Sequence, residues 1–474
     1  MEKEKKIEFL AEDFFIFLFF AICSLVLTCW LKITTCNVHY LYLLPITYFL
    51  AIVIMRPSLK TIFSSFTCSV FHIIIFGRYL IVPILWASQR NYNGFVVVGA
   101  DYDSATWLMS YELLALSVFY RFMIKQEARN DSFKEVKISN IIFLFILLWI
   151  FIFFTNADYR DSLFTFSVQN REDLGLADGS LKDKIVHDGI YNVFKGVGFL
   201  SLFLYIIFCL NKMKNRTIRF CLTLLLCITY TLRTGIGMSS VSRWNMIIGL
   251  IVGCIILMNF FQEKSKAIKK GTIFFVVIAI VMGSVLKLFV TQSTEKSIGE
   301  TMSFYLRAET FDEYFAGIGP VANGLRVNDV KQNEKSVERM FVDCFNTVPF
   351  FTKMIGADKI KPTEPLYHDV TWPQLIMPNI TMSLFQFGWL LSPIYSILLF
   401  WLALFFERKY NTSDDLLVKL ITIIIVFWCS LFMILNMNII NSNVVPFVIS
   451  YGIIQVYKKS NGKDDENIDY NPSL

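Results

Sequence analysis

An all-α polytopic membrane protein is predicted by three observations. Of the 474 residues, 55% are hydrophobic and only 17% are charged, whereas about a quarter are charged in soluble domains. The apolar residues fall in blocks of roughly 17 to 25, enough for a helix to cross a ~30 Å hydrocarbon core. These blocks lack the short alternating segments of a membrane barrel, so backbone amides in lipid must be satisfied within helices.

Taken in order, the spans are expected near 13–33, 40–55, 61–87, 106–122, 138–156, 190–210, 218–234, 241–261, 272–291, 386–406, 416–436 and 441–457. The first apolar block, Phe14 to Leu31, has no convincing small-residue cleavage site and is expected to stay as a helix. About twelve helices bring every basic loop to one face. That face carries Lys3, Lys5 and Lys6, then Arg56 and Lys60, then the cluster from Arg121 to Lys137. Lys212 to Arg219, Lys264 to Lys270, Arg408, Lys409 and Lys419, and Lys458 to Lys463 follow on it. Positive loops stay in the cytoplasm, so both termini are expected there. Residues 1–291 hold the spans before the long loop, 292–385 form a large extracytoplasmic loop, 386–457 hold the remaining spans, and 458–474 form a polar cytoplasmic tail.

Composition also argues against several functions. The net charge of +6 sits mostly in the short loops that topology explains, so no nucleic-acid partner is expected. The ten cysteines lie mainly in apolar blocks and form no CxxC, zinc spacing or disulfide framework, so they point to no particular chemistry, and no cofactor is expected.

A hydrophilic stretch as long as 292–385 is expected to carry structure of its own. Met340, Phe341, Cys344 and Phe345 repeat at helical spacing and suggest an interfacial helix. Pro378-Asn379 opens another helix towards Phe387, with Asn379 as its N-cap, and Gly388 leads into the next span. These stretches either cover helix ends or form a lid over an outer cavity.

Charge inside a membrane block is expensive and tends to face a cavity. Arg78, between Gly77 and Tyr79, lies in the outer half of the third block. Lys195 and Lys287 lie near outer helix ends, where snorkelling accounts for them. The outer turn from Arg233 to Arg243 is rich in Gly and Ser, so backbone amides and two guanidinium forks can meet an anion. A second set, in the long loop, contains Arg307, Arg326 and Arg339 among Glu309, Asp312 and Glu313. His368-Asp369 is the only adjacent His–carboxylate pair in that loop, and either could deprotonate a hydroxyl if its side chain faces one. Gly317-Ile318-Gly319-Pro320 follows no strand, which excludes a dinucleotide fingerprint.

Taken together, the chain resembles the Wzy-type oligosaccharide repeat-unit polymerases of bacterial O-antigen and capsule synthesis. The resemblance rests on the number of spans and the Arg233–Arg243 turn. It also rests on the long outer loop ending in Pro378-Asn379-Ile380 through Phe387-Gly388-Trp389, and on the stretch Phe76 to Pro83. The motifs are short, but the organisation covers nearly the whole chain. The resemblance implies a metal-independent, GT-C-like glycosyltransferase of the bacterial inner or plasma membrane. It implies a lipid-linked oligosaccharide donor and acceptor, release of undecaprenyl pyrophosphate, and flippase and chain-length-regulator partners. It further implies a phosphate-binding role for Arg233 and Arg243, extended here to Arg78 and Arg307. No base is carried over; His368, Asp369 and Glu309 are the candidates. A lipid-linked oligosaccharide flippase and an O-antigen ligase are the rival readings.

Overall fold

The computed structural model describes residues 11–32, 38–88, 97–124, 138–156, 160, 189–235, 242–272, 274–276, 308–345, 348, 360–371 and 375–468. Of this structure 82% is helical, with no strands among the described residues. Five described helices are long and apolar enough to cross a membrane: Glu12–Leu31, Phe66–Ala87, Val193–Leu210, Arg216–Gly235 and Met437–Ser460. Leu43–Met55, Ile142–Thr155, Trp244–Phe260 and Leu416–Ser430 are apolar but shorter. The span expected at 272–291 lies almost wholly outside the described residues. The architecture is that of an all-helical chain consistent with a helical membrane protein, with five full-length apolar helices among the described residues.

The chain forms two compact units, Met1–Arg129 with Met302–Glu407 and Val426–Ser442, and Asn130–Thr301 with Arg408–Ile425 and Asn443–Leu474. In the first, α1 (Ala11–Leu31), α2 (Leu43–Met55), α3 (Leu59–Ser64) and α4 (Phe66–Phe76) precede a π-helix (Gly77–Ile81), α5 (Val82–Ala87) and α6 (Tyr102–Met123). The expected third span is thus a broken helix. Its break before Phe66 is held by a distant carboxylate. Glu407 accepts from Ser65 Oγ at 2.9 Å and from the Phe66 and Thr67 amides at 2.6 and 3.2 Å. These amides begin α4 and have no intrahelical acceptor, so Glu407 caps the helix. The core behind it is aromatic: Phe71 lies 5.1 Å from Phe400 and 6.0 Å from Phe432, centroid to centroid.

The hydrophilic segment folds into helices, as its pattern predicts. These are α11 (Ala308–Tyr314), α12 (Ile318–Val330), α13 (Val337–Phe345) and α14 (Thr363–Val370), numbered after α7 to α10 of the second unit given below. Then come α15 (Asn379–Phe387) and α16 (Ile394–Thr412). The expected span at 386–406 begins later, because Gly388, at φ +78°, ends α15 and redirects the chain. Asn379 is inside the start of α15 rather than at its cap; Pro378 occupies that position, and the Asn379 amide instead donates to the Phe432 carbonyl at 2.7 Å. The fully buried side of α15 needs such polar side chains satisfied internally.

The second unit contains α7 (Ile142–Thr155), α8 (Gly189–Leu210), α9 (Arg216–Gly235) and α10 (Arg243–Phe260). Helices α17 (Leu416–Ser430) and α18 (Met437–Ile468) are each divided between the two units. Helices α9 and α10 pack closely through Gly249 and Gly253. A Cβ on Gly249 would stand 2.8 Å from the Thr231 Cα, and one on Gly253 would stand 3.1 Å from the Cys227 Cβ. This is the small-residue spacing that lets membrane helices approach backbone to backbone. Because the obstacle at Gly249 is main chain, Gly249→Leu should separate α9 from α10. Thermal unfolding of the purified variant should fall by several degrees, whereas Leu250→Ile should leave it nearly unchanged.

Candidate functional site

The π-helix carries the most unusual side chain in the first unit. A π-turn inside an α-helix is uncommon and frequently marks a functional position. Here it turns Arg78 wholly inward, at 0% exposure. Gly77 allows a close approach here: a Cβ there would collide with the ring of Phe315, the residue that follows α11. The adjacent Tyr79 hydroxyl donates to the Met109 carbonyl at 2.6 Å, tying the π-helix to α6.

Arg78 Nη1 donates to Glu112 Oε2 at 2.8 Å. The other carboxylate oxygen, Oε1, accepts from Ser396 Oγ at 2.7 Å. Glu112 is therefore held by α16 as well as by the π-helix. The arginine is not saturated. Its Nε and Nη2 atoms are buried with no hydrogen-bond partner among the described residues. Those two nitrogens form the side-on edge of the guanidinium, the edge that matches two oxygens of a phosphate or carboxylate. Leaving buried donors unmet costs about 1–3 kcal/mol each. The arrangement thus holds one guanidinium edge against a counter-charge and leaves the other edge chemically unsatisfied.

A second polar centre lies where the hydrophilic segment meets the apolar helices. Helix α13 buries Arg339, Val342 and Asp343, while Val337, Phe341 and Phe345 remain exposed. Of the apolar stripe expected to mark this helix, Phe341 and Phe345 point outward while Met340 and Cys344 are half-buried, and Arg339 and Asp343 point in. Asp343 accepts from the Thr363 amide at 2.8 Å, from the Thr363 hydroxyl, from the Gln386 amide, and from Asn438 Nδ2 at 3.2 Å. Asn441 donates to the Asp343 and Cys344 carbonyls at 3.3 and 2.7 Å. One carboxylate therefore joins α13 to α14, α15 and α18. Arg339 is directed elsewhere, to the Lys361 and Glu334 carbonyls and the Glu334 carboxylate. Burial pushes the Asp343 carboxyl up to about 6; the Thr363, Asn438 and Arg339 contacts oppose that rise without cancelling it.

The other expected residues are dispersed. His368 Nε2 lies 3.0 Å from the Leu375 carbonyl, and Asp369 lies 3.5 Å from Lys331 Nζ, so the two side chains serve different partners and form no dyad. Glu309 is half-buried on α11, with Oε2 buried and unpartnered among the described residues. On the next turn, burial and then the Asp312 carboxylate hold the Glu313 carboxyl well above its usual range. Asp312 itself accepts from the Ile318 and Gly319 amides at 2.9 and 2.8 Å and so caps α12. In the second unit, Arg233 sits half-buried at the end of α9 and Arg243 begins α10. The turn between them is closed by the Ser242 amide on the Gly235 carbonyl at 2.8 Å. Residues 236–241, the Arg243 side chain, Arg307 and Lys287 lie outside the described residues.

No family model matches the chain, and neither a curated protein nor a solved structure matches it.

The Asp343 carboxyl gives a signed prediction. Its folded-state value of about 6 exceeds the ordinary 3.8, so the native protein holds this proton after the unfolded chain has released it. Its contribution to stability is complete below about pH 4 and is lost as pH rises through about 6, on the order of 3 kcal/mol in all. The thermal midpoint of Asp343→Asn, measured from pH 4 to pH 7, should lack that component of the wild-type slope.

Proposed function

We propose that the chain is a membrane glycosyltransferase of the oligosaccharide repeat-unit polymerase type. In this reading, a glycan carried on undecaprenyl pyrophosphate passes to a sugar hydroxyl of a single lipid-linked repeat unit. The acceptor oxygen forms a bond to the donor's anomeric carbon, the bond from that carbon to the pyrophosphate breaks, and the hydroxyl proton goes to a base or to water. The observation that carries the reading is the unsatisfied side-on edge of Arg78 beside its counter-ion Glu112.

The chemistry supports it in two ways. The leaving group is a pyrophosphate whose negative charge grows as the glycosidic bond breaks. A guanidinium already oriented by Glu112, in surroundings from which water is excluded, stabilises that charge more in the transition state than in the ground state. The substrate also has a long hydrocarbon tail and a hydrophilic sugar chain. A protein of apolar helices carrying a folded hydrophilic segment suits both parts. Arg78 is fully buried, so a ligand reaches it only if the groups around it move. Arg233 and Arg243, at the two ends of the α9–α10 turn, are assigned to the same class of ligand on their side-chain chemistry. Glu309 is the preferred base among the sequence candidates, because its buried Oε2 has no hydrogen-bond partner among the described residues. The proposed setting is the outer face of a bacterial plasma or inner membrane, with both termini cytoplasmic.

Complementation tests this reading. Deletion of the gene should abolish the long-chain ladder and leave single repeat units on the lipid carrier. Arg78→Ala, at matched membrane abundance, should lower ladder intensity by at least about tenfold, with Arg78→Lys intermediate because it keeps the charge and loses the fork. A ladder that persists in the deletion strain excludes the polymerase reading. Normal chains from Arg78→Ala would remove Arg78 from the site without deciding the function.

A further inference from the structure

A cavity of about 750 Å³ opens in the second unit, among the ends of α7, α16 and α17 and the middle of α18. Its lining carries both signs of charge, Lys409 and Lys458 against Asp414 and Asp415, with Tyr451 and Tyr457 beside them. None of these residues belongs to the site described above. Asp415 is the fixed point. It is buried, accepts from the Leu417 amide at 3.0 Å, and lies 2.9 Å from Lys458 Nζ. Lys409, Asp414 and Lys458 are exposed around it.

The position and the chemistry restrict the ligand. The cavity lies at the ends of apolar helices, on the face to which the basic loops assign the cytoplasm, which is the level of lipid headgroups. Tyrosines are common at that level because the ring tolerates hydrocarbon and the hydroxyl needs water. An anionic headgroup would meet two carboxylates, and a simple cation would meet two ammonium groups. A headgroup bearing a phosphate and a primary ammonium a few bonds apart can satisfy both sets. The volume exceeds what such a group needs and leaves space for bridging water.

We infer that this cavity binds the headgroup of a zwitterionic phospholipid with a primary ammonium, of the phosphoethanolamine class. Lysine 409 and Lys458 take the phosphate, while Asp414 takes the ammonium and Asp415 holds Lys458 in place. The site is independent of the polymerase reading, since it requires only a membrane protein with this face at a headgroup layer.

The test uses the purified full chain in detergent, with added phosphatidylethanolamine, phosphatidylglycerol, phosphatidylcholine or inorganic phosphate. Retained lipid is counted by native mass spectrometry and the thermal midpoint is followed. Phosphatidylethanolamine should bind at least about tenfold more tightly than the other two lipids and raise the midpoint. Phosphatidylcholine has no N–H to offer Asp414, and phosphatidylglycerol has no cation at all. Lys409→Ala and Asp414→Asn should each weaken phosphatidylethanolamine about tenfold without lowering the lipid-free midpoint. Equal binding of phosphatidylglycerol or phosphatidylcholine overturns the two-sign assignment. Competition by inorganic phosphate alone makes the cavity a free-anion site and overturns the lipid assignment. The ranking of lipids on the wild-type chain decides the matter even if a variant fails to fold.

Discussion

A fully buried guanidinium must be answered by a fixed counter-charge, and the first unit is organised around the pair that meets this demand. Arg78 and Glu112 are both at 0% exposure. Taking either ion out of water costs several kcal/mol, which their mutual attraction offsets only with good geometry and further hydrogen bonds. The 2.8 Å contact and the Ser396 hydroxyl supply part of that. Helices α4, α6 and α16 are consequently held around one charge pair, and the π-helix is the local distortion that aims Arg78 at it. The pair does not use the whole guanidinium. In a core built only for stability, the remaining edge would be expected to have a partner. Its being left over is the feature that turns a structural ion pair into a candidate anion site.

Asp343 meets a related demand differently. Its carboxylate is answered by neutral donors from three neighbouring helices, and the nearby Arg339 bonds to backbone carbonyls and Glu334 instead. Neutral donors stabilise a carboxylate less than an ion pair does, which is why burial keeps the upper hand over its acidity. Asp343 thereby fastens the hydrophilic segment to α15 and α18. The segment is an integral layer of the first unit rather than a loose connection between spans.

Much of this was legible in the residues, and the failures have physical causes. Hydropathy located most helices because lipid demands long apolar stretches. It could not separate α4 from the π-helix or place α15 apart from α16, since both breaks are backbone events within apolar sequence. Arg78 stood out because a charge among apolar neighbours is conspicuous. Its partner Glu112 lies in the less apolar 106–122 block, where a carboxylate is less conspicuous, and only tertiary structure brings the two together. Asp343 was concealed by the apolar repeat around it, of which only Phe341 and Phe345 turn outward. The GxxxG spacing of Gly249 and Gly253 was not read from the sequence, because small residues within an apolar block do not interrupt it. His368 and Asp369 show the limit of adjacency, because neighbours on a helix point about 100° apart.

The most direct measurement of the central claim is chain extension in proteoliposomes. The purified protein would be given a synthetic lipid-linked repeat unit, and the products resolved by length. The account predicts oligomers of two or more units, with undecaprenyl pyrophosphate released in step with each bond formed. Movement of intact repeat units across the bilayer with no extension, or no release of the lipid pyrophosphate, would contradict it.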